Sequence, residues 1–160
     1  MTEKIGELLI YLEYMNLFIS PHCDDETLFG AYTIMNEHPK VYIWETTPER
    51  LSESIKALKI LGGEFTDTLK GNWEKVYAPA LENGHPLHDE CHNYAKDRFE
   101  NVVYYSTYRS GSDLQPKGNI KVEATKEMKQ KKIEALKCYK SQIEATPCHF
   151  KLENKDEYYI

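Results

Sequence analysis

Leu17-Phe18-Ile19-Ser20-Pro21-His22-Cys23-Asp24-Asp25-Glu26-Thr27-Leu28 is the stretch that decides how this chain reads. Residues 15–20 form a short apolar run that predicts a first strand. From Thr27 the period changes. Leu28, Ala31, Tyr32 and Met35 recur at i, i+3, i+4 and i+7, the spacing of a helix packed on one face. Asp24 or Asp25 is placed to cap that helix. A histidine and two adjacent carboxylates thus fall where a strand gives way to a helix. Burying a carboxylate is costly without a partner, and two neighbouring ones repel each other. A divalent cation resolves both problems: His22 and Asp25 offer it a nitrogen and an oxygen, and Asp24 is left for proton chemistry.

Working outward, residues 40–45 (KVYIWE) predict a second strand. A helix follows, with Thr47 as N-cap, Pro48 at its first position and Gly62-Gly63 at its end. Leu51, Ile55, Leu58 and Leu61 are its expected buried stripe. Residues 65–69 alternate weakly, as a short strand would, and residues 75–78 (KVYA) predict another. The loop 79–84 leads into His85-Pro86-Leu87-His88 and a helix to about Phe99, with Leu87, Cys91, Ala95 and Phe99 on one face. Residues 101–106 (NVVYYS) predict a strand and 107–119 a loop. A long basic helix is expected over 122–143, with Met128, Ala135, Leu136, Tyr139 and Ile143 inward and the lysines of 126–140 on a solvated face. Residues 146–160 show no strong period.

Strands alternating with helices predict an α/β, Rossmann-like three-layer domain, with a mostly parallel sheet and helices on both faces. The 160 residues suffice for one such domain, expected to span the whole chain. No Gly-x-Gly-x-x-Gly follows the first strand, which argues against dinucleotide binding. The formal charge of −6 argues against a nucleic-acid partner held through phosphate neutralisation. No apolar run approaches the roughly 20 residues of a membrane span. The first ten residues lack the basic start and cleavage site of a signal peptide, so a cytoplasmic protein is expected. Cys23, Cys91, Cys138 and Cys148 contain no Cys-x-x-Cys pair and read as free thiols.

In such folds ligands bind outside the carboxyl ends of the strands, and both histidine clusters fall there. A catalytic zinc takes three protein ligands and keeps one position for water. His22, Asp25 and His88 supply that set, with iron(II) or cobalt as other metals the donors would accept. Asp24 is the expected base, and His85 would stabilise a developing oxyanion or protonate a leaving amine. His88-Asp89-Glu90-Cys91-His92 is a weaker pattern: it approaches the His-Glu-x-x-His of zinc proteases but has Asp in the second place, and it leaves residues 22–25 unexplained. His38 and His149 read as exposed and silent, and Cys91 as core. Trp73, Tyr77, Tyr108 and Arg109 lie on or near loops that could face the cleft.

These residues resemble the PIG-L/LmbE-like zinc-dependent N-deacetylases, which act on N-acetylglucosaminyl compounds. Their His-Pro-Asp-Asp-Glu motif is similar to residues 22–26, with Cys23 in the proline position as a silent replacement. Their His-x-x-His is similar to His85 and His88. Their Arg-x-x-Glu-x-x-x-Ala-x-x-x-Leu-Gly helix matches Arg50, Glu53, Ala57, Leu61 and Gly62, and their Lys-x-x-Ala-Leu-x-x-Tyr-x-Ser-Gln segment matches Lys132, Ala135, Leu136, Tyr139, Ser141 and Gln142. The resemblance spans about residues 15–142. It implies zinc on His22, Asp25 and His88, a base at Asp24, an acid/base or oxyanion-stabilising group at His85, and a substrate contact at Arg50. A cation at Arg50 opposes the dipole of its helix, which also suggests a role beyond the helix. The implied reaction is release of acetate from an amino sugar or its conjugate. The alternatives are a zinc amidase on a non-sugar conjugate and a shortened, non-catalytic sugar-binding relative. The chain is short for the family, and Glu45-Thr46-Thr47 replaces its usual segment after the second strand.

Overall fold

The computed structural model describes residues 2–5, 8–11, 14–107, 116–152 and 156–160. Two short strands, β1 (Thr2–Ile5) and β2 (Leu8–Tyr11), pair antiparallel as a hairpin that the sequence reading did not anticipate. The main sheet begins with β3 (Met15–His22). Its alternation sets the layers: Phe18 belongs to the core on one face, Leu17 and Ile19 to the core on the other. Then come α1 (Asp25–Glu37), β4 (Lys40–Glu45), α2 (Pro48–Leu61), β5 (Glu64–Phe65), β6 (Trp73–Pro79), α3 (Pro86–Arg98) and β7 (Val102–Tyr105). The chain closes with β8 (Ile120–Lys121), α4 (Lys126–Leu136), α5 (Lys140–Ala145), a 3₁₀ turn (His149–Leu152) and β9 (Tyr158–Tyr159).

The sheet order is β5-β4-β3-β6-β7-β9-β8. The first five strands are parallel; β9 joins β7 and β8 antiparallel. Helices α1, α2 and α4 pack together over the Phe18 face, and α3 covers β3 and β6 on the opposite face. This is the expected α/β three-layer arrangement with an antiparallel edge added. From β3 the chain winds outward through β4 and β5, then returns to lay β6 on the other side of β3. The winding therefore reverses between β3 and β6, where the connections after the two strands part and leave a crevice. Helix α1 approaches β3 so closely that a Cβ on Gly30 would stand 2.2 Å from Phe18 Cζ.

Several expectations change. The weak strand at 65–69 is only Glu64–Phe65. The long basic helix is two helices, α4 and α5, broken at residues 137–139. Ile55 and Ile143 are exposed, whereas Glu53, Ser54 and Lys132 are buried. Trp73 and Tyr77 lie within β6, Tyr77 in the core on the Phe18 face and Trp73 partly buried against the other core, and neither lines the cleft; Tyr108 and Arg109 fall outside the described residues. Among the described residues, no helix is long and apolar enough to cross a membrane.

Candidate active site

The end of β3 turns into α1 through Cys23 and Asp24, and the turn is tight. Asp24 has φ 158° and ψ −29°, a conformation rarely taken by a residue with a Cβ. Its carbonyl accepts from the amides of Thr27 and Leu28, so its backbone starts the helix. Its side chain makes no capping bond. Asp24 is thus the N-cap residue, one of the two expected, but it caps through its backbone alone. The Asp24 carboxylate lines the crevice instead, 3.7 Å from Arg50 Nη2.

Glu26 fixes the turn from beneath. Its fully buried carboxylate accepts from the Asp24 amide, the Ser20 and Ser54 hydroxyls and the Tyr139 hydroxyl. Tyr139 also bonds Thr27 Oγ1 at 2.8 Å. In the same way Glu53 accepts from the backbone and hydroxyl of Ser141. The segments that resemble family motifs are thereby tied to one another across 88 and 113 positions of sequence.

Asp25 lies deeper and holds the histidines together. Its Oδ2 accepts from the His22 amide at 2.9 Å and lies 3.0 Å from His22 Nδ1 and 3.2 Å from His88 Nε2. One donor atom from each of these three residues falls within 4.8 Å of the other two. Around a tetrahedral zinc with bonds near 2.0–2.2 Å, donors stand about 3.3 Å apart, and the two distances from Asp25 Oδ2 match that spacing, so the group could hold a metal ion. Two nitrogens and one carboxylate also leave a fourth position for water. Asp25 and His88 are buried, and His22 is 18% exposed, so the group opens toward the cleft on one side only.

The electrostatics divide the two acids. Burial, together with the charges of Asp25 and Glu26, holds the Asp24 carboxyl well above the ordinary carboxylate range; Arg50 pulls it partly back. Asp25 is opposed by burial as well, but His88 and His22 outweigh it and hold the carboxyl below that range. For His22 burial favours the neutral ring, yet its bond to Asp25 and that carboxylate's charge leave its pKa raised. For His85 burial and the neighbouring His22 and His88 lower it. His85 Nδ1 accepts from the Leu87 amide at 3.1 Å as the side-chain cap of α3, which places the neutral ring's proton on Nε2. His85 is therefore built as a neutral hydrogen-bond donor, a better match to an oxyanion than to a proton source.

The cleft holds about 170 Å³ and is lined by His22, Asp24, Asp25, Arg50, His85, Gln142, Thr146 and His149. Every residue of the sequence-predicted site is drawn together here except that the buried His88 does not line the cleft; its ring centroid lies 5.4 Å from that of His22. Gln142, Thr146 and His149 are additions. His149 was expected to be silent, and nothing in an aperiodic tail marks it. His38 is exposed and bonds the Gly62 carbonyl. His92 lies against the Pro79 carbonyl and Tyr104, not in the metal group, which removes the protease-like reading of His88 and His92. Cys23 is fully buried with its Sγ toward the Glu45 carbonyl, and its thiol is pushed up to about 12 by burial, so it fills space as a neutral group.

No family model and no curated protein matches the chain. Solved structures do. The conserved protein TT1542 from Thermus thermophilus superposes with a TM-score of 0.59 at 18% identity, over 88% of this chain and 85% of that one. GalB, the 4-carboxy-2-hydroxymuconate hydratase from Pseudomonas putida KT2440, gives 0.62 at 12% identity, over 88% and 83%. At these identities the likeness is one of fold.

Proposed function

We propose that this chain is a zinc-dependent hydrolase that removes the acetyl group from an N-acetylglucosaminyl-type amino sugar or its conjugate. The observation that carries the reading is a division of labour between neighbours: Asp25 sits in a three-donor metal group, while Asp24 faces the cleft with its carboxylate uncommitted to the helix cap. A binding protein has no use for a second acid held in so unfavourable a place. A zinc ion held by His22, Asp25 and His88 would supply Lewis acidity toward a carbonyl and lower the pKa of a water.

The chain's own residues do the rest. Asp24, whose pKa burial and the neighbouring acids raise, is placed to take a proton from water and pass it to the departing amine. His85 Nε2–H donates to the oxyanion that forms as the acetyl carbonyl becomes tetrahedral. Arg50 Nη2 donates to the Cys23 carbonyl at 3.2 Å, and its buried Nε has no acceptor among the described residues. The part of the guanidinium that reaches the cleft wall, and not the buried Nε, is suited to a hydroxyl or ring oxygen of the substrate.

The test is acetate release from free, nucleotide-linked and lipid-linked N-acetylated amino sugars by the zinc-loaded protein, with Asp24→Ala as control. Turnover that needs both zinc and Asp24 is expected; full turnover in the Asp24 variant would sink the mechanism. The hydratase among the structural neighbours suggests a second reaction for the same parts, addition of water to an activated alkene. It needs no proton for a leaving amine. Hydration of 4-carboxy-2-hydroxymuconate without acetate release from any sugar would favour it.

A further inference from the structure

We infer that Thr107 is a positioning residue for the metal ligand His88, and that Glu82 locks Thr107 in place. The inference rests on the metal reading of the site but assigns roles that neither the donor set nor the motifs contain.

The ring of His88 is held at both ends. Nε2 faces Asp25 Oδ2 at 3.2 Å, and Nδ1 lies 2.9 Å from Thr107 Oγ1. An imidazole binds a metal through one nitrogen, and the hydrogen bond of the other sets the tautomer and the ring's orientation. In the metal-bound state Nδ1–H would donate to Thr107, which leaves the Nε2 lone pair for an ion held with His22 and Asp25. Thr107 is fully buried, so its hydroxyl has no bulk water to turn toward.

The hydroxyl is fixed because its backbone is fixed. Glu82 Oε2 accepts from the Thr107 amide at 3.0 Å, and Glu82 Oε1 accepts from Ser106 Oγ at 2.7 Å. Ser106 Oγ in turn accepts from the Lys117 amide at 3.0 Å. One carboxylate thus clamps two successive residues just past β7. Glu82 belongs to the connection between β6 and α3, three residues before His85 and six before His88. The segment that carries both histidines is stitched to the end of the neighbouring strand. A bond that merely filled a core would not need its acceptor braced from the same loop that delivers the ligand.

The experiment uses the full chain and zinc as the probe. Zinc affinity is measured by competition with a chelating dye for wild type, Thr107→Val and Thr107→Ser, with the melting temperature of each metal-free form as a fold control. Outer-sphere partners of metal-bound histidines are worth about 10–100-fold in affinity. Thr107→Val is therefore expected to bind zinc about 10–100-fold more weakly, and Thr107→Ser within about threefold of wild type. Equal affinity in wild type and Thr107→Val would overturn the role of Thr107 while leaving the metal site standing; no zinc binding in wild type would overturn both. A readout independent of any variant's folding is the ring nitrogen NMR spectrum of the zinc-loaded wild type. His88 with its proton on Nδ1 is expected, and a proton on Nε2 would contradict the inference.

Discussion

Two clusters of buried charge lie along α1, and they are built on opposite plans. At the middle of the helix, Lys132 Nζ reaches the Leu28 carbonyl and Glu157 Oε2, both at 2.9 Å, with Nζ 4.9 Å from the Tyr32 ring. Glu157 also accepts from the Tyr32 amide. One cation meets one anion, and the pair engages the carbonyl and amide of residues one turn apart in the helix. Both side chains are shut away, 0% and 1% exposed. At the N-terminus of the same helix, Asp24, Asp25 and Glu26 crowd together, and the compensating groups are two histidines and one arginine, 3.7 Å from Asp24. That cluster opens on a cleft. A closed pair fixes architecture. A surplus of carboxylates beside converging imidazoles is a deficit that a bound cation would fill, at the expense of the metal-free fold.

Replacing Asp24 with Asn should separate the two plans most clearly. Turnover is expected to fall by about 10²–10⁴-fold, the usual contribution of a positioned base, while zinc stoichiometry stays at one. The metal-free fold should gain about 1 kcal/mol, because burial and like charge hold the Asp24 carboxyl above its ordinary range and a neutral amide removes that strain. Activity assay, elemental analysis and chemical denaturation check the three parts.

Lys132→Met should do the reverse. Leaving Glu157 without its cation is expected to cost about 3–5 kcal/mol of stability, with zinc stoichiometry unchanged below the new melting transition. A change in zinc affinity larger than the effect of Thr107→Val would break the distinction between the clusters.

Arg50→Ala should raise KM by about 10–100-fold, the range for a lost hydrogen bond from a charged group. Because Arg50 also pulls the Asp24 pKa down, its loss should move the acidic limb of the kcat/KM profile to higher pH.

The pH dependence of the metal-free protein gives a smaller effect. His22 has a folded pKa raised above its ordinary value of 6.5. Its contribution to stability is full below that ordinary value and is lost as pH rises through the folded one. Zinc must displace that proton, so affinity should climb with pH over the same interval and then level off. Urea denaturation and zinc titration from about pH 5.5 to 8.5 test both signs, and Asp25→Asn should flatten the stability trend. The smallest effect expected is that of Cys23→Ala: about 1 kcal/mol of stability from lost packing, with zinc affinity unchanged.

The grouping of the candidate site was largely legible in the sequence and the closed ion pair was not. His22, Asp25, His88, Asp24, His85 and Arg50 could be read because their types are chemically costly where the strand and helix periods placed them. The burial of Lys132 could not: its place in a matched segment marks the residue but not its surroundings, its period places it with the solvated lysines, and its partner Glu157 sits in a tail without period. The exposed Ile55 was misread for a related reason. Helix α2 turns Glu53 and Ser54 inward to meet Ser141 and Glu26, and hydrophobic spacing is blind to polar partners far away in sequence. The break after α4 carries no glycine or proline; it falls where the Tyr139 hydroxyl is drawn to Glu26 and Thr27. Thr107 was invisible as one more hydroxyl at the start of a loop rich in them.

Everything proposed for this cleft rests on His22, Asp25 and His88 forming one divalent metal site. The most direct test is zinc content by elemental analysis after loading and desalting, for wild type and for His88→Ala. One zinc per chain is expected in the first and none in the second. Zinc absent from wild type, or retained in full by His88→Ala, would contradict the site.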